Sequence, residues 1–307
     1  MRITSNMMGR NLLQNLEAAQ GKMTDLQNMM SSGHRISKPS DDPAGIENAL
    51  SIKGSLTMVK QWKSNADDAI SYLSMTDSTL GDVSAMLQRA RELAVQGASD
   101  TSSPQARKAL AQEVDQIAAQ IRMLANSKMG NKYIFSGTKT DTQPLPPPSS
   151  GFVGSTNLIQ FDLGNNTPMP ISVDGQGIFV NPLGVKLLSD GPVTPWPPSN
   201  PGILDTLSHE LQSGTSSTIG ATLNGIDANI DNILGNRAVV GARINRVTAI
   251  SSQLDTTSNN LTANLSSIQD TDISKTIIDF QTQQNIYSAA LSIGAKIIQP
   301  SLIDYMR

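Results

Sequence analysis

Ile219-Gly220-Ala221-Thr222-Leu223-Asn224-Gly225-Ile226-Asp227-Ala228-Asn229-Ile230 opens the stretch that decides the fold. From Ile219 a seam steps 4, 3, 4, 3 through Leu223, Ile226, Ile230, Ile233, Arg237, Val240, Ile244, Val247, Ser251, Leu254, Ser258, Leu261, Leu265 and Ile268. Twelve of these fifteen positions are apolar, over about 50 residues, or roughly 75 Å of helix at about 1.5 Å per residue. A seven-residue repeat held this long makes helices supercoil left-handedly around one another, so a rod-like bundle is expected. Arg237 breaks the apolar rule. It marks a bundle crossing, a register device, or a point where the partner helices splay, and the spacing alone does not choose.

The same period recurs outward in both directions. Downstream it runs through Ile277, Phe280, Gln284, Tyr287, Leu291, Gly294 and Ile298. Upstream there are three runs: Leu12, Leu16, Ala19, Met23, Leu26, Met30; then Ala66, Ala69, Leu73, Thr76, Leu80, Val83, Leu87, Ala90, Ala94; then Leu110, Val114, Ile117, Ile121, Leu124, Lys128. Ordinary seam packing accounts for Met23 and Met30, although flexible thioethers also suit a recognition stripe. Boundary residues agree with these runs. Gly33 suits a left-handed C-terminal cap. Asp42-Pro43 and Ser103-Pro104 pair an N-cap with the favoured first-position proline. Asp270-Thr271-Asp272 puts negative charge at the head of the last helix.

Prolines interrupt the pattern. Of 16 in the chain, 12 lie from Pro144 to Pro201, where charged residues are reduced to Asp141, Asp162, Asp174, Lys186 and Asp190 over 141–202. Proline removes a helix donor and clashes with the preceding turn, so this middle segment is not helical. Leu158–Leu163, Pro170–Val173 and Gly177–Val180 read as short strands between Gly and Pro punctuation, and Tyr133-Ile134-Phe135 reads as a strand leading in. Pro144–Pro148 and Pro195–Pro198 read as stiff arms. Phe152, Phe161, Phe179 and Trp196 supply a minimal apolar core for a folded insert; the alternative is a linker. The expected fold class is therefore mainly α with a small β insert, an elongated coiled-coil bundle built from both flanks. Its divisions are 1–42 with 270–307, 43–140 with 203–269, and the insert 141–202.

Composition narrows the function. Charged residues are 16% and aromatics 4%, well below the charge content of an ordinary globular domain. The net charge of −3 provides no chain-wide basic footprint for nucleic acid or an anionic membrane. No cysteine occurs, so disulfides, thiolate metal sites and cysteine nucleophiles are out. No apolar run approaches the length that spans a bilayer, and residues 1–30 have no signal-peptide core.

Candidate chemistry is sparse, and each candidate has a plainer reading. Asp41-Asp42 could pair for acid–base work or a cation, but Pro43 makes a cap the better account. His34 beside Arg35 fits a solvent-facing turn better than a phosphate site. His209-Glu210 lacks the second histidine of a zinc helix, and Gly175-Gln176-Gly177 precedes no helix-borne Lys-Ser pair. The many hydroxyls have no base to activate them. No catalytic, cofactor or metal residue is assigned. A hydrolase or adhesin seated in the insert, with Trp196 and Phe179 as glycan platforms, is the reading from another class. The insert has no histidine and one basic residue, and an apolar core explains both rings.

The two ends carry more information. Opposite its seam the last helix offers Ser274, Thr282, Gln283, Asn285, Ser288 and Ser292, with charge limited to Asp272, Lys275, Asp279 and Lys296. A solvated lone helix usually carries many Glu–Lys pairs there. Six aliphatic side chains per helix do not offset the ordering entropy of a two-helix end. Both ends are therefore expected to order only when neighbouring copies cover them. The residues placed at that assembly surface are Leu12, Leu16, Met23, Leu26, Ile277, Phe280, Tyr287 and Leu291.

Several blocks resemble the bacterial flagellin family. Met29-Met30-Ser31-Ser32-Gly33-His34-Arg35-Ile36 is similar to a signature near the start of flagellins. Asp41–Gly45, Arg89–Gln96, Val240–Asn245 and Asp270–Ile273 match further segments. Met1–Met8, Ser40–Pro43, Tyr133–Thr140 and Ser301–Met306 look most like the hook-associated branch of that family, which joins hook to filament. The likeness covers about 1–140 and 203–307 and leaves out the insert. It implies a structural, non-enzymatic subunit with paired terminal helices in an inner tube, a helical layer around them and a variable domain outside. Implied partners are further copies in a ring or helical layer, a first hook-associated protein below, flagellin above, and an export chaperone on the C-terminal helix. It also implies an extracellular place on the flagellum, reached unfolded without a cleaved signal. A filament flagellin is the alternative within the family.

Overall fold

Proline with a capping side chain just before it sets where two long helices begin. The computed structural model describes residues 5–146, 151–164, 168–180, 187–188 and 201–298. In order these form α1 (Ser5–Ser32), α2 (Pro43–Gly97), α3 (Pro104–Ala125), β1 (Lys128–Met129), β2 (Lys132–Tyr133), β3 (Gln160–Asp162), β4 (Pro168–Pro170), α4 (Gly175–Phe179), α5 (Ile203–Ser213), α6 (Ser216–Gln269) and α7 (Ile273–Ile298). The caps fall as expected. Asp42 Oδ1 accepts from Gly45 N at 2.9 Å and Ser103 Oγ from Ala106 N at 3.2 Å. Gly33, at φ 73°, ends α1 in the left-handed region where a side chain is strained. The chain divides into two compact units, residues 1–58 with 257–307 and residues 59–256.

In the second unit, all nine positions of the Ala66–Ala94 run are buried, Leu73, Leu80 and Leu87 completely. Burying each such leucine contributes about 1.5–3 kcal/mol. On α6 every seventh residue from Ile219 is buried: Ile226, Ile233, Val240, Val247 and Leu254. The intervening seam members Leu223, Ile230, Arg237, Ile244 and Ser251 are half-buried. The helices are antiparallel. Arg91 pairs with Asp227 at 2.6 Å, Arg237 with Asp77 at 3.0 Å, and Lys63 with Asp255, so numbering falls on α6 as it rises on α2. Arg237 is thereby explained. Its guanidinium lies over Gly81, and its Nε and Nη2 donate to both carboxylate oxygens of Asp77. The pair is a polar cross-link set into the seam.

The third run ends earlier than its spacing suggests. Asn126 caps α3, and Lys128 opens β1, which pairs antiparallel with β2. The Asn126 side chain holds Leu145, donating to its carbonyl at 2.8 Å and accepting from its N–H at 2.9 Å. That contact takes the chain out of helix. Helix α5, which no heptad run announces, packs on α3; Leu211 fills the space beside Gly97.

The insert is less strand-rich than expected. β3 and β4 pair antiparallel, Phe161 opposite Met169, but β4 stops at Pro170, and Ile171 and Val173 turn inward as core residues. Gly177–Val180 is not a strand. Asp174 caps a short helix there, accepting from Gln176 N at 3.0 Å, and Gly175 permits it because a Cβ would meet the Phe135 carbonyl. Phe135 and Phe179 meet edge to face at 5.1 Å between centroids, so Phe179 is core and not a glycan platform. Tyr133 belongs to β2 while Ile134 and Phe135 leave the ladder for the core. Trp196, the arm Pro195–Pro198, and Pro147 and Pro148 of the first arm lie outside the described residues.

The described insert residues share one core with the bundle. Tyr72 on α2 donates its hydroxyl to Ile134 O at 2.5 Å, and burial pushes that phenol well above its ordinary pKa. On α6, Asn232 donates to Gly177 O at 3.2 Å and Arg243 to Ser172 O at 2.8 Å. These polar α6 positions lie off the apolar seam and tie the insert to α6.

Candidate assembly surface

Helices α1 and α7 pack against each other in the first unit. The α1 face is the one its spacing indicates. Leu12, Leu16, Met23, Leu26 and Met30 are half-buried and Ala19 is buried. The α7 face is displaced by one position at alternate steps. Thr276 and Gly294 are buried, and Phe280, Gln283, Tyr287 and Ala290 are half-buried. Ile277, Gln284 and Leu291, expected in the seam, are exposed, whereas Gln283, expected outside, is inside.

Close approach explains the displaced register. Leu12 occupies the space a side chain at Gly294 would fill, and the Gln283 amide donates to Ala19 O at 3.4 Å. Thr276 bonds back to Asp272 O at 2.8 Å. Small and polar side chains let the backbones near each other, and the large aliphatic ones are left outward. Ala290 and Gly294, seven and eleven residues after Gln283, were the available signal, and hydropathy alone ranks Leu291 above them.

The predicted assembly residues therefore fall into two groups. Leu12, Leu16, Met23, Leu26, Phe280 and Tyr287 line the contact within the chain. Ile277 and Leu291 face outward, together with residues that sequence reasoning missed: Ile273, Ile278, Ile286 and Ile293 on α7, and Met7, Met8 and Leu13 on α1. Ile278 keeps 63% of its surface exposed and Leu13 60%. At about 100° per residue, Ile273, Ile277 and Leu291 flank one side of the seam and Ile286 and Ile293 the other.

The segments that enter and leave this pair meet. Gly33 O accepts from Thr271 N at 3.0 Å, and Gln269 O from Arg35 N at 2.7 Å. His34 Nδ1 lies 2.9 Å from Asp270 Oδ1, and Ser266 donates its hydroxyl to Asp270 Oδ2 at 2.6 Å. Ser266 first, then His34, hold the Asp270 carboxyl below its ordinary 3.8. Arg35 reaches Ile268 O at 2.9 Å, and Ile36 is buried against Gly45. Asp41 serves the adjoining turn, not a carboxylate pair: its Oδ2 accepts from Lys38 N at 2.8 Å and Ser37 N at 3.1 Å. The N–H of Lys38 most of all keeps that carboxyl below its usual range.

Known proteins share this organisation. The model of the bacterial flagellin N-terminal helical region matches residues 3–140, and that of the C-terminal helical region matches 223–306. Flagellin of Bacillus subtilis is 29% identical over 94% of this chain and 93% of its own length. The flagellar hook-associated protein 3 of Escherichia coli is 24% identical over 94% and 95%. A solved flagellar hook-associated protein of Vibrio parahaemolyticus superposes at a TM-score of 0.66 with 22% identity, covering 75% of this chain and all of that one. Helical-region matches at both ends, together covering well over half of its length, mean that the chain belongs to the bacterial flagellin family.

Proposed function

We propose that this chain is a structural, non-catalytic subunit of the bacterial flagellum that joins hook to filament. The observation that carries the reading is the outward apolar surface of α7. Ile273, Ile277, Ile278, Ile286, Leu291 and Ile293 stay exposed on a helix already paired with α1. Covering each by neighbouring copies contributes up to about 1.5–3 kcal/mol, and that energy orders ends too poor in buried surface to hold alone. Residues 1–42 with 270–307 act as the assembly part, 43–140 with 203–269 as the supporting bundle, and 141–202 as the outer insert. The partners are other copies in a ring or helical layer, hook-associated protein 1 on the hook side and flagellin on the filament side. An export chaperone takes the C-terminal helix before passage, and the chain reaches the extracellular flagellum with no signal peptide removed.

End-to-end alignment with the hook-associated protein of E. coli supports the junction role. Electron microscopy of cells lacking the chain tests it. Bare hooks with flagellin lost to the medium are expected, and normal filaments on those cells would refute the reading. The slightly higher identity to B. subtilis flagellin favours a second reading, the filament subunit itself. Growth of long filaments from the purified chain alone would establish that instead.

A further inference from the structure

A heptad seam does not choose its own register. Sliding α7 along α1 by seven residues brings seam positions back over seam positions. What fixes the observed alignment lies at the base of the pair, where positions 34 and 270 are joined by a β-bridge, although they are 236 residues apart in the chain. The Thr271–Gly33 and Arg35–Gln269 backbone bonds flank the His34–Asp270 pair, and Ser266 orients its carboxylate.

We infer that the His34–Asp270 bridge is the register lock of the assembly helices. It ties the segment just after α1 to the segment just before α7, so the two helices zip outward from a fixed origin. Once the bridge has formed, the loop that brings the distant segments together is closed, and each further turn is added beside one already in place. The far end of the pair agrees with this origin. Leu12 lies nearly as many residues before His34 as Gly294 lies after Asp270, and there Leu12 fills the gap that glycine leaves. The inner positions agree too, with Gln283 bonded to Ala19. Register is what decides the height at which each outward α7 residue stands beside α1. The lock therefore rests on the assembly role proposed above and sets the surface offered to neighbours.

Cross-linking tests it, because a chain without cysteine reports only introduced thiols. In the full-length chain, Ala19→Cys paired with Gln283→Cys reads the native register, and Ala19→Cys paired with Ala290→Cys reads a one-heptad slip. The native pair should dominate in the unaltered background. Asp270→Ala or His34→Ala should lower the native-to-slipped ratio about two- to fivefold, the range of one lost solvent-exposed pair. The exchanged pair, His34→Asp with Asp270→His, should restore it. A ratio unchanged in both single variants, or not restored by the exchange, would overturn the lock. Attachment to flagella is scored separately on the same variants. A chain that keeps its register yet fails to join flagella counts against the proposed function and leaves the lock standing.

Discussion

Gly294 on α7 gives Leu12 on α1 its place: a Cβ at Gly294 would stand 2.6 Å from Leu12 Cδ2. The obstructed atom is the tip of a flexible side chain, so a methyl group can be accommodated by rotation. Alanine also gains about 1 kcal/mol over glycine in a helix interior. Gly294→Ala should therefore attach to flagella like the parent. Gly294→Leu cannot be absorbed in this way, and overpacking costs about 1–3 kcal/mol. It should reduce incorporation, read as the fraction of cells bearing filaments in a complementation assay. Equal complementation by the two variants would mean that the helices do not approach at this point.

Arg237 and Asp77 make the second test. Both side chains are about one-third exposed, so solvent screening keeps their coupling below about 1 kcal/mol. Arg237 nonetheless occupies a seam position. Arg237→Leu should restore the apolar repeat and leave urea stability within about 1 kcal/mol of the parent, whereas Arg237→Ala should lose more because it removes the aliphatic stem from a half-buried seam position. Equal losses of well over about 1 kcal/mol in both variants would show that the ion pair, not packing, holds this crossing.

The sequence announced the long helices because their seams are continuous and their boundaries carry strong local signals, Pro43, Pro104 and Gly33 among them. It misjudged elements whose conformation depends on distant contacts. Gly177–Val180 has the apolar, β-branched look of a strand. Its backbone is set instead by the Asp174 cap and by Phe135, whose carbonyl closes on Gly175. The α7 register failed for a related reason. Helix pairing at close range selects Ala290 and Gly294 for being small, a preference that hydropathy does not carry. The proposed assembly surface is half legible in the sequence: Ile277 and Leu291 stand in the heptad spacing, while their exposure depends on the close pairing at Ala290 and Gly294. Nothing in local sequence relates His34 to Asp270.

Acid should loosen the bridge at the base of the pair. The Asp270 carboxyl titrates lower in the folded chain than its ordinary 3.8, so it contributes stability above that value and loses it as pH falls through the folded-state midpoint. No loss is expected between pH 5 and 8 from this carboxyl. A carbon-detected NMR titration should place Asp270 below 3.8, and Ser266→Ala should raise the midpoint, since the Ser266 hydroxyl is the strongest of its partners. A midpoint unaffected by removing that hydroxyl would contradict the geometry at 2.6 Å.

Folding and assembly should separate by position. Leu80 is fully buried in the bundle, and an aspartate there would bury an unpaired charge; Leu80→Asp should unfold residues 59–256 at physiological temperature. Leu291 is 47% exposed, so Leu291→Asp meets water in the isolated chain and should leave the urea midpoint of that unit unchanged. In an assembly the same aspartate is forced between apolar neighbours, and incorporation should be abolished. Leu16→Asp should act at both levels, because Leu16 lines the contact with α7: it should weaken pairing within the chain as well as attachment. Amide exchange distinguishes the routes. Leu291→Asp should match the parent in the isolated chain, with weak protection over 10–30 and 275–295, while the parent gains protection there on joining the flagellum. Strong protection of those segments in the isolated parent would mean that the pair is stable unaided, and that neighbours bind a surface they do not have to order.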